Sequence, residues 1–128
     1  MSWEQHSKVY FESAAPLDDI VRRIHQHIGG QQRPSGVDGP TLTVYVDDND
    51  ERDPVRAADP RDGFLYFPYL IDVDGSPGAS TEAYQDALSA LLRQLASPNI
   101  RFVTAANNEP ALLGGGRWNG LTHGGAWP

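Results

Sequence analysis

The chain has 128 residues, a single-domain length that buries roughly two thirds of the surface its unfolded form exposes. With 39% apolar and 21% charged residues it reads as an ordinary globular protein, not a disordered one. Ten basic against seventeen acidic side chains leave a net charge of −7, which disfavours phosphate backbones and anionic lipid, favours a basic partner, and also serves plain solubility. The absence of cysteine excludes disulfide and thiolate chemistry and fits a reducing, cytoplasmic setting. Met1-Ser2-Trp3-Glu4-Gln5-His6 has no basic region followed by an apolar run, so a secretory signal is not expected. No apolar stretch approaches the ~20 residues that span a bilayer.

In chain order, Lys8–Ser13 alternates Val9 and Phe11 against Lys8, Tyr10 and Glu12, which predicts a first strand. Leu17, Ile20, Val21, Ile24 and Ile28 then recur at helical spacing. Pro16 stands at the start of this run, Asp18 and Asp19 in the first turn, and Gly29-Gly30 at the stop. The segment 31–40, rich in Gly, Pro and Gln, is expected to be a flexible connection. Thr41–Val46 alternates as a second strand. An acidic insertion, 47–63, separates it from a third and longest strand, Phe64–Asp74. There Leu65, Phe67, Tyr69, Ile71 and Val73 form an apolar set that should face the core, and Pro68 requires a bulge or incomplete pairing. After the turn Gly75-Ser76-Pro77-Gly78, Ser80 or Thr81 caps a second helix with Glu82 in its first turn. Its stripe is Tyr84, Ala87, Leu88, Leu91, Leu92 and Leu95, and Pro98 stops it. Ile100–Ala105 is a short fourth strand.

The order β-α-β-β-α-β predicts an α+β domain, residues 1–106: a four-stranded antiparallel sheet, ferredoxin-like, with two helices on one face and strands one and three in the middle. Residues 107–128, with Gly114-Gly115-Gly116, Trp118, Leu121 and Trp127, form an irregular Gly-rich C-terminal extension that packs on the domain or trails from it.

Such a sheet keeps a helix-free face, on which the alternation places Tyr10, Glu12, Thr43, Tyr45, Phe64, Tyr66, Arg101 and Val103. Aromatic residues on central strands resemble the stacking platform of RNA-recognition modules. The charge argues against nucleic acid, with only Lys8 and Arg101 nearby. The face is instead covered by the C-terminal segment, or meets a partner or a second copy through Tyr10, Tyr45, Phe64, Tyr66 and Arg101. The insertion holds seven acids and three arginines, a net −4. Asp47, Asp48, Asp50, Glu51 and Asp53 suit a basic protein partner, whose association such charge would steer; plain surface disorder is the alternative. It is no calcium loop, since counting from Asp47 the sixth position is Arg52 and the twelfth Ala58.

His25 and His27, two apart on a helix, do not face one metal, and His6 and His123 lie near the ends. Gly114-Gly115-Gly116-Arg117 lacks the Lys-Ser/Thr of a phosphate loop, and Asn107-Asn108-Glu109 has no nucleophile–base pair beside it. No catalytic residue, metal ligand or cofactor is assigned.

Phe-Leu-Tyr-Phe-Pro-Tyr-Leu-Ile-Asp-Val-Asp, followed by Tyr84, Leu91-Leu92 and Leu95 and the strand Arg101-Phe102-Val103-Thr104-Ala105, resembles a group of small uncharacterised bacterial α+β proteins over residues 63–105. That resemblance implies no catalytic residues. In size, charge and class alone the chain is similar to the immunity proteins of bacterial toxin systems, which occlude a toxin. The expectation is therefore a non-enzymatic acidic protein-binding module, an immunity-type inhibitor of a basic partner, with no nucleic acid or membrane involved. The alternative is a homodimeric α+β barrel whose two sheet faces enclose, and bind or convert, a small molecule.

Overall fold

The computed structural model describes residues 5–59, 61, 63–97, 100–105 and 117–119. The elements are β1 (His6–Ser13), α1 (Leu17–Ile28), β2 (Gln31–Arg33), β3 (Gly36–Asp38), β4 (Leu42–Asp48), β5 (Tyr69–Gly75), α2 (Thr81–Leu95), β6 (Ile100–Ala105) and β7 (Arg117–Asn119). Every pairing is antiparallel, and the strands run β2-β3-β4-β5-β1-β6-β7 in one sheet. This is an α+β fold with more strands than the four expected. At its centre β1 and β5 lie side by side between β4 and β6.

The helices form as their patterns require. In α1 the buried side chains are Ile20, Val21 and Ile24, and Gly29 at φ 73° ends it where only glycine is unstrained. Pro16 sits just outside α1 as its cap position. In α2 the Ser80 hydroxyl accepts from the Ala83 amide, and Tyr84, Leu88, Leu91, Leu92 and Leu95 are buried. Both helices lie on one face, packed on each other and on the sheet. The core between the layers takes Val9 and Phe11 from β1, Leu42, Val44 and Val46 from β4, Ile71 and Val73 from β5, and Ile100 and Phe102 from β6. The period of two therefore held wherever a strand had one dry face.

Three expectations need correction. The segment 31–40 is not a plain connection: it forms the hairpin β2–β3, which widens the sheet and sends Val37 into the core. Three-residue strands are too short for an alternation to declare itself. The third strand begins at Tyr69 instead of Phe64, because 63–66 closes into a 3-10 turn. Consequently Leu65 is 37% exposed, and Phe67, though fully buried, lies against Arg101 on the far side of the sheet from the helices. The third correction concerns the C-terminal extension, of which Arg117–Asn119 pairs with β6 as an added edge strand. Asn107, Asn108, Glu109, the glycines 114–116, Leu121, His123 and Trp127 lie outside the described residues.

Candidate functional site

The helix-free face divides into two halves. On one, Tyr10 stands opposite Leu70 of β5 and Val103 of β6, and Val103 opposite Arg117. That half is roofed. The connection from β4 to β5 folds back over it, so that the Phe64 ring meets the Tyr10 ring edge-on at 5.4 Å and Arg117 lies 5.9 Å from the centre of the Phe64 ring. Arg101 reaches Glu12 at 3.3 Å and lies 4.9 Å from the centre of the Phe67 ring. Phe67, Ala57 and Val103 are buried here, apart from the main core.

What holds the roof down is a polar residue, Asn49, 5% exposed. Its side-chain amide donates to the carbonyls of Leu65 at 2.9 Å and Phe67 at 2.8 Å, while its side-chain oxygen accepts from the Glu51 amide at 3.0 Å. Its backbone amide donates to Pro68 O, so one residue ties both ends of the connection together. Further along, the Asp53 carboxylate accepts from the amides of Val55 and Arg56, opening the 3-10 turn Arg56–Ala58. The Arg56 guanidinium lies 5.3 Å from the centre of the Tyr66 ring. The described residues of the insertion, for which the sequence offers a flexible acidic loop or plain surface disorder, are thus hydrogen-bonded to one another and to the chain beyond. Sequence pattern could not announce this, because the bonds of Asn49 run from side chain to backbone between residues sixteen and eighteen positions apart.

The other half is polar and half-exposed. His6, Asp74 and Thr43 form one row, with His6 Nδ1 2.6 Å from Asp74 Oδ1; Lys8, Asp72 and Tyr45 form the next. Tyr45 is 47% exposed. At the adjoining edge Arg33 and Asp38 form a close ion pair, and the hydrogen bond and charge of Asp38 raise the Arg33 pKa above its ordinary value.

The residues expected to make one aromatic contact surface are therefore dispersed. Tyr10 and Phe64 meet edge-on, Tyr66 belongs to the connection and engages Arg56, and Arg101 is packed on Phe67. Tyr45 alone of the set keeps an open face. The acids behave differently. Asp47, Asp48, Asp50 and Glu51 are exposed, and among the described residues none of the four forms an ion pair, whereas Asp53 is committed to its turn and to Arg56 at 3.7 Å. Beside them Val55 is 83% exposed, the most exposed large apolar side chain described. Among the described residues no three His, Cys, Asp or Glu side chains are grouped to hold a metal, and no helix is long and apolar enough to cross a membrane. Comparison of the chain with family models, with curated proteins and with solved structures returns no match.

Proposed function

We propose that the protein is a non-enzymatic binding module for a basic protein partner, engaged through the acidic turn 47–51 and the apolar side chains beside it, in the manner of an immunity-type inhibitor. One observation carries the reading. The β4–β5 connection is internally hydrogen-bonded, with Asn49 at its base, while four carboxylates and Val55 point to solvent. A loop ordered before contact loses less conformational entropy on binding, and clustered carboxylates raise the encounter rate with a cationic surface. Tyr45 and Leu65, both exposed, are the further large apolar contacts offered by the described residues. The ferredoxin-like reading of the fold is supported by the order β4-β5-β1-β6 with both helices on one side, the hairpin and β7 being edge additions.

The experiment is association kinetics with the partner recovered from the native host. The variant D47N/D48N/D50N/E51Q, which spares Asp53 and so spares the turn, should slow association by at least about ten-fold at low ionic strength and flatten its salt dependence. Rates unchanged by the four substitutions would remove the turn from the interface. A second copy closing over the sheet face, the barrel reading, would have to seat on the half carrying Lys8, Tyr45, Asp72 and Asp74, since the connection occupies the other. Light scattering tests it: a strict monomer at high concentration ends that alternative.

A further inference from the structure

The helix layer carries a feature of opposite character to the acidic turn. On α1, Arg23, Gln26 and His27 fall at i, i+3 and i+4 and so share one ridge. Gln94, near the end of α2, completes with them a surface depression of about 340 Å³ between the helices. The helices run in opposite directions there, because Arg23 meets Gln94 while Ile28 shares a second depression with Ala87. Arg23 Nη2 donates to the Gln94 carbonyl at 2.6 Å, which holds the guanidinium beside the depression that Arg23 helps to line. In a chain of net charge −7, the described residues that line this depression are Arg23, Gln26, His27 and Gln94, none of them a carboxylate.

His27 also borders the second depression, of about 150 Å³, whose other walls are Ile28, Pro40, Thr41, Leu42 and Ala87. His27 thus borders both a donor-rich depression and one in which four of the six lining residues, Ile28, Pro40, Leu42 and Ala87, are apolar. The larger is within the ~300–1,000 Å³ range of small-molecule sites. Charge-assisted hydrogen bonds select an anionic oxygen group at one end, and the apolar walls select a short hydrocarbon body at the other.

We propose that this groove binds a small amphipathic anion, a carboxylate on a short apolar body, with Arg23, Gln26, His27 and Gln94 around its head group. The site is independent of the acidic turn and lies on the other layer of the molecule.

The test is an amide chemical-shift titration of the full chain with three probes: hexanoate, 1-hexanol as the body without the charge, and inorganic phosphate as charge without the body. Hexanoate should shift residues 23–28, Ala87 and Gln94 saturably, and more tightly than either control. Because Arg23 also caps α2, the decisive variant is Gln26→Glu, at an exposed position with no structural hydrogen bond described. It places a carboxylate in the lining and should weaken hexanoate by at least about ten-fold, about 1.4 kcal/mol, with the amide spectrum otherwise preserved. Gln26→Lys should keep or strengthen binding. The absence of saturable shifts, equal binding of hexanol and hexanoate, or indifference to Gln26→Glu would each overturn the proposal.

Discussion

Asn49 has four bonding groups and a buried position, which makes its replacement diagnostic. Removing the side chain in Asn49→Ala leaves the Leu65 and Phe67 carbonyls and the Glu51 amide without that partner. Leaving a buried polar group unsatisfied costs about 1–3 kcal/mol. The expected loss is about 2 kcal/mol in urea unfolding. Asn49→Asp sharpens the test: the shape is kept and the acceptor remains, but an ionised carboxylate cannot donate to the two carbonyls. It should be destabilised nearly as much as the alanine variant. Wild-type stability in Asn49→Asp would show that the amide donors do not hold the connection. No residue-level reading of the chain singled out this asparagine, for it sits unremarkably within Asp-Asp-Asn-Asp, and its role depends on a carbonyl pair contributed from beyond the turn.

Among the elements, the β4–β5 connection, the hairpin and β7 are those that pattern misjudged, each for want of period. Gly63 shows how closely the connection is packed: a methyl group there would stand 2.4 Å from the Ala57 carbonyl oxygen, nearer than any side chain can lie. Gly63→Ala should therefore part the 3-10 turns Arg56–Ala58 and Gly63–Tyr66. Amide exchange should quicken between residues 53 and 67 while the amides of β1, β5 and β6 stay protected, since those strands owe their burial to the helix side of the sheet. Uniform acceleration across the sheet would mean that the roof is integral to the core. The Asp47 carboxylate accepts from the Asp48 amide at 2.8 Å, so a backbone donor near the end of β4 is satisfied within its own strand.

At the scale of the whole molecule, a buried polar link joins the two layers. Tyr84 of α2 donates its hydroxyl to the Val73 carbonyl at 3.1 Å and lies 2.6 Å from the Ser7 hydroxyl, tying the helix to β5 and β1. Burial pushes the phenol up to about 12 from its ordinary 10.0; Ser7 opposes the shift and the charge of Asp74 adds to it. The folded chain thus keeps a proton that the unfolded chain gives up, so the contribution is complete below pH 10 and is lost as the pH rises toward 12. The expected decline across that window is on the order of 2 kcal/mol, read from denaturant unfolding at successive pH values. Tyr84→Phe should be less stable at neutral pH and should lose that part of the slope. An equally steep decline in the phenylalanine variant would assign the base sensitivity elsewhere.

The sequence by itself determined the parts whose evidence is periodic: both helices, the glycine stop of the first, β1, β4 and β6 with near-correct bounds, and the assignment of one sheet face to the helices. A repeat of 2 or 3.6 residues reports burial against a flat layer, and those elements meet one along their whole length. Only the tertiary structure decided what became of the opposite face. Tyr10, Phe64 and Arg101 were rightly placed away from the helices, yet whether that side stays open depends on where the acidic connection lands. That outcome turns on Asn49 reaching carbonyls sixteen and eighteen residues away, and on Phe67 turning under Arg101. Such contacts join segments without repeating along either of them, so no window of sequence contains them.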